Sequence, residues 1–339
     1  MQFRALFFAS VLSALLAATP TRAEEVCTTQ SQMQPAERDA LSAAAASLAA
    51  RIQANDQANL RAATIPEFQK DFSGIADAVN STSPLLKGAT PQVEQLYILD
   101  ASTLQKTPTG ADPDARFYCT LNKSVSEADF AIPQLPPGRY AFAMVRMDSA
   151  TPWRLSFLLR SAGKQWQLAG LYPKPLTAAG HDGLWYWQQA RALKAQNQPW
   201  NAWLFMAEAQ NLVLPANFVS STHLEKLQTE LASTAPPALS NGISTDAPLV
   251  LKSADGTEFR FTSLTADDSL QKDKLDVAAH IKVDALGNAA AARKRNVDAM
   301  AALLAAHPEL RSAFHGIWIF ADAPNASPYA TEQAMADIQ

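Results

Sequence analysis

Two runs of alternating residues, Trp153–Arg160 and Gln165–Tyr172, flank the short stretch Ser161-Ala162-Gly163-Lys164, and together they restrict this part of the chain to a β-hairpin. Trp153, Leu155, Phe157 and Leu159 fall on one face of the first strand, and Trp166, Leu168 and Tyr172 on one face of the second. Arg154, Ser156, Arg160, Gln165 and Gln167 point the other way. That division predicts a sheet with one covered face and one wetter face.

Upstream, Val93–Leu99, Arg116–Leu121 and Arg139–Met147 also carry strand periodicity. Before them the spacing is helical. Pro35 suits a first helical turn, and Ala36–Ala54 places Leu41, Ala44, Leu48 and Ile52 along one stripe. Asn55-Asp56 interrupts, a second helical stretch starts at Gln57, and Pro66 breaks or restarts it, leaving Phe68, Phe72, Ile75 and Val79 at helical spacing for burial. Helices followed by antiparallel strands predict an α+β layer with the helices on one side of a curved sheet.

On this order of elements, on the opening Asn55-Asp56-Gln57-Ala58-Asn59-Leu60 between helical runs, and on the closing hairpin, residues 35–176 resemble the NTF2-like superfamily. That cone-shaped α+β superfamily includes nuclear transport factor 2, ketosteroid isomerase and SnoaL-type proteins. It hosts enzymes, binders and assembly modules alike, so the resemblance implies a fold and leaves the activity open. Members that are enzymes place an Asp, His or Tyr inside the cone to move protons. Here the inward face offers Trp153, Leu155, Phe157, Trp166 and Leu168, with Tyr172 at its end, which disfavours acid–base chemistry. Tyr97, Tyr118 and Tyr140 are candidates for polar points in such a pocket, and the set suits either a small hydrophobic ligand or a packed core.

Residues 177–233 return to helical spacing, with Pro199 between two helices, Pro215 after the second and a further helix around Thr222–Leu231. Asp182 is placed to cap the helix that begins near Leu184. Ala190, Ala202 and Ala209 are spaced as in a tetratricopeptide (TPR) helix pair, so the segment resembles one TPR-like unit. No second copy follows, and an αα-hairpin docked on its neighbour accounts for the same spacing. Trp185, Trp187, Trp200, Trp203 and Phe205 are accordingly either packing between domains or a partner-binding groove. Residues 234–245 have linker composition, and 246–339 read as a small α+β domain: strands at Leu249–Leu251, Glu258–Leu264, Leu275–Val283 and Gly316–Phe320, a helix at Ala289–Ala306, and a turn at Asp255-Gly256.

Residues 1–23 read as a secretory signal peptide: Arg4, an apolar run from Ala5 to Ala18, and Thr21-Arg22-Ala23 for cleavage after Ala23. The expected mature protein is periplasmic or secreted, with residues 24–34 as an N-terminal extension and no membrane span after cleavage. An oxidising compartment allows Cys27 and Cys119 to pair; the alternative is two unpaired small hydrophobes.

Without Arg4 and Arg22 the 28 basic residues become 26 against 32 acidic ones, a net charge of −6 that argues against a nucleic-acid partner. The basic run Arg293-Lys294-Arg295 reads as a solvated helix face. An apolar fraction of 48% excludes wholesale disorder. No nucleotide-binding loop, nucleophile elbow or metal motif occurs, so no cofactor or metal is expected. Among the five histidines, His280 and His315 could converge with Asp322, against ordinary surface or core placement. The sequence thus predicts an exported binding or assembly protein with a possible hydrophobic ligand or protein partner. An isomerase- or hydrolase-like enzyme with its pocket near Trp153 and Trp166 is the rival.

Overall fold

Pro35 opens helix α1 (Pro35–Gln53), which buries Leu41, Ala45, Leu48, Ala49 and Ile52. The computed structural model describes residues 26–121, 125–163, 165–269, 271 and 273–339, so the expected signal peptide and Lys164 of the expected turn lie outside the described residues. Asn55 takes a left-handed backbone (φ 52) to end the first helical run, and the Asp56 side chain accepts from the Asn59 amide to start α2 (Gln57–Ala62). Two further short helices follow, α3 (Pro66–Lys70) and α4 (Ser73–Thr82). Because the chain breaks between them, the helical phase is not continuous. Phe72 and Val79 are buried as expected, whereas Phe68 is 42% exposed.

A five-stranded antiparallel sheet runs in the order β1-β2-β5-β6-β7, from β1 (Val26–Thr29), β2 (Thr90–Asp100), β5 (Arg139–Asp148), β6 (Trp153–Ala162) and β7 (Gln165–Pro175). The N-terminal extension thus supplies an edge strand. Strands β3 (Ala115–Leu121) and β4 (Val125–Ile132) belong to a second sheet, completed by β10 (Val219–Ser220) in the order β10-β4-β3. Cys27 of β1 and Cys119 of β3 are joined by a disulfide, Cα to Cα 5.1 Å, that ties the two sheets together.

Under α1 and α4 lie Leu155, Phe157, Leu159 and Leu168, with Trp153 and Trp166 packed at the edge. The opposite face, expected to be wetter, is covered as well. Tyr140, Phe142 and Leu158 project from it into a core shared with Phe117 and Phe130 of the second sheet. A bulge at Ala169 pairs Leu158 with Gly170 and Leu159 with Leu168. Beyond it every side chain changes face: Leu171 joins the core under the helices, and Tyr172 joins the other. A Cβ at Gly170 would lie 2.7 Å from the Tyr172 hydroxyl, so any larger residue there would displace that ring.

A two-residue ribbon, β8 (Thr177–Ala178) and β9 (His181–Asp182), leads into α5 (Gly183–Ala195), α6 (Pro199–Val213) and α7 (Thr222–Thr234). Asp182 caps α5 by accepting from the Trp185 amide at 2.8 Å. Ala190, Ala202 and Ala209 are fully buried, as close helix approach requires. The C-terminal sheet has the order β11-β12-β13-β14-β15: β11 (Leu249–Lys252), β12 (Glu258–Asp267), β13 (Asp276–Lys282), β14 (Gly316–Asp322) and β15 (Tyr329–Ala334). Helix α8 (Ala289–Ala306) is the crossover that lets β13 and β14 run parallel. One hydrophobic core joins α5, α6 and α7 to this sheet and takes in Leu239 from the expected linker.

Candidate ligand cleft between the sheets and the helical layer

Pro215 follows the last residues of α6, and the chain from Leu214 to Ser221 then runs as a strap, pairing Val219 and Ser220 with Phe130 and Asp129 of β4. Two hollows border it. The first, about 610 Å³, is lined by Tyr97, Met144 and Arg154 from the large sheet, Leu184 and Trp187 from α5, and His223 and Leu227 from α7, with Glu94 at the sheet side. The second, about 500 Å³, is lined by Arg116, Tyr118, Gln210, Phe218 and Gln228. Val219, Ser220 and Leu224 border both.

The aromatic wall of the larger cleft is held in place. Trp187 donates its Nε1 hydrogen to Glu230 Oε2 at 2.8 Å, and the Arg191 guanidinium sits 4.7 Å from the indole centroid. Arg191 also grips Glu230 with two hydrogen bonds of 2.7 Å. That pairing pushes the Glu230 pKa down to about 2.

Arg154 brings a positive charge to the cleft wall, beside the carboxylate of Glu94. In the register of the large sheet Arg146 lies opposite Arg154, and Arg154 opposite Lys174, so three cations stand side by side on one face. Arg146 is paired with Asp148 and is 4.0 Å from Glu94, and Lys174 donates to Asn211 Oδ1 at 2.8 Å. Arg154 donates to the Val213 carbonyl at 3.0 Å and the Leu212 carbonyl at 3.5 Å, at the C-terminal end of α6. Burial pulls its pKa down, opposed by the charge of Glu94. Among the described residues no carboxylate lies within ion-pair distance of Arg154.

The residues singled out from the sequence are distributed differently from a single cone pocket. Leu155, Phe157 and Leu168 are fully buried under the helices and pack as core, with Trp153 beside them; Trp166 also borders a hollow of about 330 Å³ against α1. Tyr140 points to the other face and donates to the Pro136 carbonyl at 2.9 Å. Tyr118 is 62% exposed at the second hollow, and Tyr97 reaches the larger cleft. Among the helical aromatics, Trp200 and Phe205 are buried, against His307 and Phe314 respectively. Trp203 packs on Trp200, Trp185 stacks on His181 at 3.7 Å, and Trp187 alone of the five lines a cleft described here. These side chains therefore pack chiefly between α5, α6 and the C-terminal sheet, and do not form one open groove. Met144, Arg154, Leu184 and Leu227 escaped sequence reasoning. Arg154 carried the one usable signal, a cation alternating with apolar residues on a strand whose neighbours also offer Arg146 and Lys174.

Titratable groups gather elsewhere. Glu208 of α6 has its pKa pushed up to about 7 by burial and by the charge of Asp268, with a hydrogen bond from Asn211 opposing. Asp268, itself raised by burial, accepts from the Ala179 amide at 2.7 Å. A carboxyl whose pKa rises on folding contributes stability that is complete below its ordinary value of 4.5 and lost as pH climbs to about 7. The difference is on the order of 3 kcal/mol. Glu208→Gln is expected to flatten the pH dependence across that window and to raise stability at pH 8, measured by urea unfolding at both ends; a slope equal to wild type would refute the assignment.

His280 Nδ1 meets Asp322 Oδ2 at 2.8 Å, whereas His315 Nδ1 meets Asp276 Oδ1 at 3.3 Å and does not join them. Lys274 Nζ lies 2.9 Å from His315 Nε2, and Trp318 donates to Asp276. None of these groups borders either cleft beside the strap. Among the described residues no cluster of three or more His, Cys, Asp or Glu side chains is placed to hold a metal ion, and no helix is long and apolar enough to cross a membrane.

Fold and cleft define an α+β protein with a hollow between a double β-layer and a helical layer. No family model matches the chain, and no curated protein or solved structure does.

Proposed function

We propose that this chain is an exported, non-catalytic binding protein, periplasmic or secreted after cleavage behind Ala23, that holds a small hydrophobic ligand in the cleft of about 610 Å³. Residues 35–176 serve as an NTF2-like module and α5–α6 as a single TPR-like pair, together forming a scaffold. The observation that carries the reading is the cleft wall: Tyr97, Met144, Leu184, Trp187 and Leu227 converge from four elements, and Trp187 is clamped before any ligand arrives. A volume of this size falls within the range of small-molecule sites. The Cys27–Cys119 disulfide supports an oxidising compartment. The acids buried most completely among the described residues, Glu208 and Asp276, lie outside the cleft, which favours binding over acid–base catalysis.

Native mass spectrometry of the mature protein, purified gently from its own host, tests this. Wild type is expected to carry a small-molecule adduct, and Met144→Trp, which fills the cleft, to lose it. A wild type that instead carries a second polypeptide moves the function to a protein partner.

A further inference from the structure

We propose that the cleft selects an amphipathic monoanion, an alkyl or aryl carboxylate whose head is received by Arg154 and whose apolar body lies against Met144, Leu184 and Trp187. This deepens the binding reading above and rests on it.

Like charges directly opposite on neighbouring strands repel, yet Arg146, Arg154 and Lys174 stand in one row. The flanking two have partners: Arg146 has Asp148, and Lys174 has the Asn211 amide oxygen. Arg154, in the middle, is bound only to the neutral carbonyls of Leu212 and Val213, and no described carboxylate pairs with it. A guanidinium keeps its charge at any ordinary pH, and one in a partly buried apolar cleft has its largest unmet interaction with an anion. Its planar fork retains donors beyond the two in use, in the geometry a carboxylate accepts.

The site also limits how much negative charge it takes. Glu94, set at the β2 bulge between Val93 and Gln95, lines the same cleft and lies 4.0 Å from Arg146. Against the three cations of the row stand two carboxylates, Glu94 and Asp148, which leaves one positive charge; that suits a singly charged head and disfavours a doubly charged one. Most of the remaining lining is apolar, Met144, Leu184, Trp187 and Leu227 among it, beside Ser220, Ser221 and His223, so the ligand is an amphiphile and not a small inorganic anion.

Calorimetric titration of the mature protein with decanoate and with decanol separates head from tail. Wild type is expected to bind decanoate about tenfold more tightly than decanol, the ratio one charge-assisted hydrogen bond supplies. Arg154→Gln should abolish that preference. Since Arg154 also holds the end of α6, Glu94→Gln provides a variant that spares this contact: it should tighten decanoate binding and so widen the preference over decanol. Equal wild-type affinity for the two probes, or a Glu94→Gln variant with no gain for decanoate, overturns the head-group assignment and leaves the hydrophobic cleft standing. Failure of wild type to bind either probe overturns the cleft reading, and this inference with it.

Discussion

Replacing Cys27 and Cys119 together by alanine is expected to destabilise the folded protein by about 4–5 kcal/mol, because the bond closes a loop whose ends are 92 residues apart. A crosslink of that span removes a large share of the unfolded chain's freedom, and its loss returns that freedom. There is a local component too. β1 is a four-residue edge strand, and Cys119 is fully buried in the core between the two sheets. Without the bond β1 keeps its ladder with β2 and the buried Thr29 at its end, and loses its covalent tie to the second sheet. Urea denaturation of wild type with and without a thiol reductant, beside the double variant, checks the effect. Reduced wild type and the variant should share a lowered midpoint. A variant that unfolds at the oxidised wild-type midpoint would show that the bridge has no such effect on stability.

Phe142→Ala should be nearly as costly, about 3–5 kcal/mol, the range for a buried aromatic truncated in a core that does not collapse around the gap. Phe142 is fully buried, with ring centroids 5.2 Å from Phe130 on β4 and 5.7 Å from Phe218 in the strap. Its ring therefore bridges the large sheet, the small sheet and the segment that borders both clefts. The fitting control is Phe68→Ala: that ring is 42% exposed, and its removal should stay within about 0.5 kcal/mol. If thermal unfolding gave the two variants similar midpoints, the second face of the sheet could not be covered as described.

The hairpin from Trp153 to Tyr172, the helical break at Asn55-Asp56 and the α+β class were legible because each depends on neighbours in sequence. Alternation reveals that Leu155 and Phe157 share a face. It does not reveal what covers the other face, and that omission hid the second sheet. Its middle strand, Val125–Ile132, reads VSEADFAI, with charged and small residues that break the alternation. The bulge at Ala169 was equally invisible, since one unpaired residue leaves no trace in composition while reversing the sidedness of Leu171 and Tyr172. The cleft was hardest of all. Tyr97, Arg154, Trp187 and Leu227 are far apart in the chain and meet only through tertiary packing. Periodicity assigned Tyr97 and Trp187 as candidates, in two different sets, and could not bring them together.

The segment between Ser233 and Thr245 looks in the sequence like a joint between two bodies, yet Leu239 within it is buried in the same core as Tyr186, Phe205, Phe261 and Ile319. Change of composition and change of cooperativity therefore fall at different places. The helices after Gly183 and the strands up to Ala334 depend on each other's apolar surface, so neither has a complete interior when alone. A truncation, permutation or fusion made in the proline-rich stretch would divide one cooperative unit in two, however well the sequence advertises it as a seam.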